Sequence, residues 1–230
     1  GKKETPSFDE LTLLAAKDEG YQNLMKIVSR AYLHQTSGQM VHTTFDDLSK
    51  DLTAGLMALS GVQGGPGNLY MDPNGAGAYA ERLLKLFGEN YFMDISRLGY
   101  AGEHLKEEVL LDIAQNKGIP IVGSNEVYFL DEAQYEAHDA LLCIAGGTYV
   151  SQEERRRVSP HHRLKTPGEM EEIFADLPEA IAHTALIAQK CSFLLEPKKP
   201  ALPRFPSPKS EEEELEDQSK KGLHDRLNSQ

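Results

Sequence analysis

Short apolar runs alternate with apolar residues at helical spacing through most of this chain. Leu11–Ala16, Leu56–Leu59, Tyr91–Ile95 and Ile119–Val122 are brief enough, and apolar enough, to predict four buried strands. Between them, three groups recur every three or four positions and predict amphipathic helices: Leu24, Ile27, Val28 and Ala31; Ala80, Leu83, Leu84 and Phe87; and Leu105, Val109 and Ile113. Asp131, with Gln134 three residues on, predicts a capped start for a further helix carrying Ala137, Ala140, Leu141 and Ile144. Repeated strand–helix units predict a parallel α/β sheet, open or closed into a barrel.

The pattern changes at Thr166. Thr166-Pro-Gly-Glu169 is a helix start with proline at its first position, and Leu177-Pro178 opens another helix containing Ile181, Ala185 and Ala188. Two helices with no strand between them predict a helical cap. Pro197, Pro200, Pro203 and Pro206 then recur with the period of polyproline II, which predicts an extended strap. Six of the seven positions from Glu211 to Asp217 are acids, and Lys220-Lys-Gly-Leu-His-Asp-Arg-Leu227 follows.

Composition narrows the function classes. The 230 residues are 40% hydrophobic and 26% charged, and no run approaches the roughly 18 apolar residues of a membrane span. The sequence opens Gly1-Lys-Lys-Glu-Thr-Pro with neither Met nor an apolar leader, so an excised piece of a longer, cytoplasmic protein is expected. A net charge of -12 disfavours phosphate, so DNA binding by this chain is expected to be weak or absent. Its one basic cluster, Arg155-Arg-Arg157 with His161, His162, Arg163 and Lys165, has no interleaved aromatic to stack a base and is expected to be a solvated loop. Cys143 and Cys191 each fall in apolar helical patterns, which predicts buried, reduced thiols.

Candidate chemistry centres on Gly118-Ile-Pro-Ile-Val-Gly-Ser-Asn-Glu-Val-Tyr-Phe129. Glu126 and Tyr128 are two residues apart, so in extended backbone both side chains share a face where two ligands could grip one ion. A phenol with a pKa of about 10 stays protonated at neutral pH and is a poor ligand. The Gly-rich loop Gly61-Val-Gln-Gly-Gly-Pro-Gly67 lacks the Gly-Lys-Ser/Thr ending of a phosphate loop, and Pro66 removes a backbone donor. No zincin pair of histidines and no Gly-x-Ser-x-Gly nucleophile motif occurs.

That same segment, followed by Ala137-His-Asp-Ala-Leu-Leu-Cys-Ile144, resembles the PHP (polymerase and histidinol phosphatase) domain of bacterial replicative DNA polymerase III alpha subunits. Leu13-Leu-Ala-Ala-Lys-Asp-Glu-Gly-Tyr-Gln-Asn-Leu-Met25, Gly55-Leu-Met-Ala-Leu-Ser-Gly61 and Glu169-Met-Glu-Glu-Ile-Phe-Ala-Asp-Leu-Pro-Glu-Ala180 agree in order, so the likeness runs from about Leu11 to Leu227.

The resemblance implies a distorted (β/α)7 barrel, here without its first strand–helix units. Residues 1–195 would be a partial PHP domain with a helical cap, 196–210 a Pro-rich linker, and 211–230 the start of the polymerase region. It also implies a degenerate metal site, with Glu10 where the family often has His, Val62 where it often has Cys, and Glu126-Val-Tyr128 where it has Asp-x-His. No catalytic residue and no cofactor is then expected in this chain, and magnesium belongs to the parent's polymerase site. The implied role is support for the polymerase and a docking surface for the proofreading exonuclease subunit and other replicase subunits, with DNA held by the rest of the parent. The rival is a metal-dependent PHP phosphoesterase or 3′-5′ exonuclease. Missing opening strands would leave an unpaired sheet edge, so self-association is expected.

Overall fold

A computed structural model describes residues 9–35, 40–61, 69–197 and 199–228. Two compact units divide between Phe193 and Leu194. In the first, β1 (Thr12–Ala15), β2 (Leu56–Leu59), β3 (Tyr91–Ser96) and β4 (Ile121–Ser124) form one mixed sheet in sequence order. Between them run α1 (Asp18–Leu33), α2 (Lys50–Thr53), α3 (Pro73–Phe87) and α4 (Glu103–Lys117); α5 (Tyr135–Gly146), α6 (Pro167–Ile173) and α7 (Pro178–Lys190) follow the sheet.

The sheet is parallel only in part. β2 pairs β3 in parallel (Ala58 opposite Tyr91), as β3 pairs β4 (Met93 opposite Ile121), whereas β1 pairs β2 antiparallel, with Ala15 opposite Leu56. The return path explains the reversal. A helix alone would carry the chain back to the start of β1, but here α2 lies back against α1 before β2 begins. The Asn23 side-chain amide donates to the carbonyls of Asp51 and Ala54 at 2.9 and 3.1 Å, pinning α2 against α1. A side-chain carbon on Gly20 would lie 2.0 Å from the Gly55 carbonyl oxygen, and Gly55 itself sits at φ +74. Glycine at both places therefore lets β2 begin beside the point where β1 ends.

β4 begins two residues later than the apolar run predicts. Gly118, in the left-handed region at φ +64, ends α4, and the Ile119 amide still bonds back to the Ala114 carbonyl at 2.8 Å. Ile119 thus closes the helix. Pro120 has no N–H and offers only its carbonyl, which accepts from Met93 at 2.9 Å.

Alternation along β3 divides the interior. Tyr91, Met93 and Ile95 enter a large cluster with Ala76, Ala80 and Leu83 of α3 and Leu110 and Ile113 of α4, while Phe92 joins Met57, Val122 and Ile187 in a smaller one. Asp72 caps α3 by accepting from the Gly75 amide, Pro73 fills its first turn, and the fully buried Leu83 alone is worth about 2 kcal/mol of apolar burial. α6 begins at the predicted helix start, where Thr166 and Glu169 form a capping box. α7 lies along β4, where His183 Nδ1 donates to the Ile121 carbonyl at 2.6 Å. Just past β3, Arg97 grips Glu107 (2.5 Å), Asp176 (2.6 Å) and the Ile173 carbonyl (2.5 Å) and lies over the Phe174 ring.

In α5, Ala137, Leu141 and Ile144 of the predicted stripe face outward, although Cys143 of the same helix is buried. Asp139 is buried, holding the Arg155 guanidinium through two 2.6 Å bonds, whereas Leu141 and Ile144 are 62% and 78% exposed. The ion pair, not the apolar stripe, sets the rotation of this helix. The second unit contains the Pro-rich stretch, which has no regular secondary structure among its described residues, and α8 (Glu211–Asn228). Ser210 caps α8 in a reciprocal exchange with Glu213, and its acids crowd the positive end of the helix dipole.

Candidate functional site

Parallel strands release their side chains at their C-terminal ends, and there the ends of β2, β3 and β4 converge on one polar cluster. Ser60 follows β2, and its Oγ accepts from the Asp94 amide at 2.9 Å. Asp94, in β3, is 5% exposed and accepts a 2.5 Å bond from Ser124 Oγ at the end of β4. Burial pushes the Asp94 carboxyl up to about 6, against the pull of Ser124 and Lys106 and with a further push from Glu126. Lys106, on α4, is drawn below the usual lysine range by its own burial, which the neighbouring carboxylates oppose.

Beyond β4, Glu126 and Tyr128 meet as their spacing predicts, with the phenol donating to Glu126 Oε1. Burial first, then this bond and the Glu126 charge, raise the phenol to about 12; Glu10, exposed just ahead of β1, adds to the same effect. The Tyr128 ring is sandwiched between His138 (5.4 Å, 28°) and His162 (5.3 Å, 26°). His162 is wholly buried, which lowers its pKa. Its Nδ1 faces the Ser159 carbonyl at 3.1 Å, an acceptor only, so this nitrogen carries the proton and Nε2 accepts from Tyr100 OH at 3.2 Å. Nε2 also lies 3.6 Å from Glu126 Oε2, a pairing that becomes ionic only when the ring is protonated.

A cavity of about 420 Å³ opens beside this cluster, lined by Tyr70, Asp94, Tyr100, Lys106, Tyr128 and Arg156 among others. Its chemistry is mixed: three cations (Lys106, Arg156 and Arg157), three phenols, and the carboxyls of Glu103, Glu107 and Asp94, the last of which can be neutral at mildly acid pH. Among the described residues, no group of three or more His, Cys, Asp or Glu is placed to hold a metal ion. A protonated phenol, a carboxylate already engaged by it and an imidazole buried behind both make a poor donor set for a transition metal.

Of the sequence-predicted positions, Glu126 and Tyr128 come together and Glu10 lies near enough for its charge to act on Tyr128. Val62 and the Gly-rich loop from Val62 to Gly67 lie outside the described residues. Periodicity alone missed Asp94, Lys106, Tyr100 and His162. An acid inside the apolar run Phe92-Met-Asp-Ile was the available signal for the first. His162 gave none, because its environment is built by residues distant in sequence. The basic cluster is also not simply solvated: Arg155 is buried on Asp139, Arg163 pairs with Glu169 at 2.5 Å, and Lys165 donates to Asn125 at 2.7 Å. Cys143 is buried and Cys191 partly so, both free thiols.

Among the described residues, no helix is long and apolar enough to cross a membrane. Residues 3–98 match the PHP domain family. The chain is 38% identical to the DNA polymerase III subunit alpha of Caulobacter vibrioides across 94% of its own length and 19% of that protein. It is 34% identical to the corresponding subunit of Pseudomonas aeruginosa (98% and 20%), and 32% identical to that of Escherichia coli (94% and 19%). It spans about a fifth of the length of the curated relatives it matches. The likeness to a PHP domain thus falls on residues 3–98, in a chain similar over nearly its whole length to one part of DNA polymerase III alpha subunits.

Proposed function

We propose that this chain is a supporting and docking part of a bacterial replicative polymerase alpha subunit, with no phosphoester chemistry of its own. The observation that carries the reading is Tyr128. It stands where the family resemblance calls for an imidazole ligand, its hydroxyl spent on Glu126 and its ring clamped between two histidines. In this reading the four-stranded sheet is the later part of a distorted (β/α)7 barrel, residues 211–230 open the polymerase region, and magnesium serves only the parent's polymerase site. The partners are the proofreading exonuclease subunit and other cytoplasmic replicase subunits. DNA is held elsewhere in the parent, as a net charge of -12 favours.

The test has two arms. Purified chain, dialysed and assayed for Zn, Mn and Fe, should hold less than one equivalent of metal and should leave a 3′-labelled oligonucleotide intact with Mn²⁺ or Zn²⁺. Turnover abolished by Glu126→Ala would establish the metal-dependent exonuclease or phosphoesterase instead, with the cavity beside Asp94 as its site. In the second arm, immobilised chain should retain the purified exonuclease subunit. Failure to retain it removes the docking role.

A further inference from the structure

The docking reading leaves open where a partner sits, and the inference that follows rests on that reading. α5 turns Ala137, Leu141 and Ile144 outward, positions that follow one another along a single helical face. Alongside runs the segment Val127–Leu130, whose Val127 and Leu130 side chains are also exposed. Between them lies an apolar groove of about 460 Å³, walled by Val127, Tyr128, Leu130, Ala137, His138 and Leu141. The buried Asp139–Arg155 pair ties α5 down on the side away from this stripe.

Charge at the rim identifies the kind of occupant. Asp131 and Glu132 lie on the stretch that joins the two walls and Glu136 in the first turn of α5, all three exposed. Of the nearby cations, Arg155 is engaged with Asp139, and Arg163 is paired with Glu169 and feels Glu132 only as the weakest of its charged neighbours. We propose that this groove docks an amphipathic helix of another protein, with apolar residues at helical spacing and Lys or Arg at its margins. A ridge of the incoming helix would lie along the Ala137–Leu141–Ile144 stripe, and its basic margin would meet the acidic rim.

The probe is a fluorescently labelled helical peptide with leucine on one face and lysine on the other, titrated into the full 230-residue chain; a matched peptide carries glutamate in place of lysine. The Leu/Lys peptide should lose about tenfold in affinity for the Leu141→Gln, Ile144→Gln double variant. It should lose about threefold for Glu132→Gln with Glu136→Gln, and the Leu/Glu peptide should bind about tenfold more weakly than the Leu/Lys one. Circular dichroism and the urea midpoint check that the exposed substitutions leave the fold unchanged. Equal affinity of wild type and the Leu141/Ile144 variant would overturn the proposal. So would a concentration-dependent dimer that the same substitutions abolish, since the occupant would then be a second copy. Exonuclease capture that survives the double variant, with no change in peptide affinity, would sink this placement and leave the docking role standing. Peptide effects without any capture would support the groove and remove the exonuclease as its partner.

Discussion

Asp94 and Asp139 are both buried aspartates, yet their surroundings push them in opposite directions. Asp94, at the end of β3, receives a hydroxyl bond from Ser124, and burial still outweighs it, so its carboxyl is raised to about 6. Asp139, on α5, receives two guanidinium bonds from Arg155 and is held below the usual carboxylate range. The difference shows what each buried charge does. The first stores a destabilising charge at neutral pH beside a cavity. The second fixes the rotation of a helix and, by doing so, leaves its apolar face in water.

The largest effect should come from breaking the second arrangement. Asp139→Ala strands Arg155 and should cost about 4 kcal/mol in urea unfolding, whereas Asp139→Leu with Arg155→Met should recover most of that loss. If the double replacement also destroyed peptide binding in the α5 groove, the pair would be shown to act through orientation. Recovery of neither would mean that its role is more than filling space.

Next in size is Asp94→Asn. A carboxyl raised in the folded state favours folding when protonated: that contribution is complete below the unfolded value of 3.8 and is lost as pH rises through about 6. Removing the charge should therefore stabilise the protein at pH 8 by up to roughly 3 kcal/mol, at about 1.4 kcal/mol per pH unit, and should change little at pH 3.5. Asp139 has the opposite sign, its contribution being present at neutral pH and lost on acidification. Both variants should therefore depart from wild type at neutral to alkaline pH and converge with it on acidification, but with opposite sign, Asp94→Asn upward and Asp139→Ala downward; departures of the same sign would refute the contrast.

The smallest effect is Tyr128→Phe. It removes one partly exposed hydrogen bond and should cost about 1 kcal/mol. The phenol that titrates near pH 12 should vanish from an ultraviolet titration. An unchanged titration would mean that Tyr128 is not the raised group in this cluster.

What the sequence could disclose depended on how local the cause was. Leu56–Leu59 and Tyr91–Ile95 are strands because their own residues demand burial, and Glu126 meets Tyr128 because a period of two is a local rule. The antiparallel β1–β2 pair was not legible, since its direction is set by the return path through Gly55 and not by either strand. Likewise the stripe of α5 was visible as a stripe but not as an exposed one. Its rotation is decided by Arg155, 16 residues away, in a loop with no pattern of its own. The polar cluster needed Ser60, Asp94, Ser124 and His162 brought together from four separate segments.

Arg97 gives the first unit an order of assembly. Its bond to Glu107 closes a separation of 10 residues, while those to Ile173 and Asp176 close 76 and 79. Short closures cost less chain entropy and form sooner, so β3 and α4 can come together around Arg97 well before α6 and α7 arrive. The guanidinium would then spend the folding reaction half-satisfied, waiting for its distant partners. Interactions made that late lie on the native side of the barrier, where they lengthen the life of the folded state and leave the speed of reaching it almost untouched.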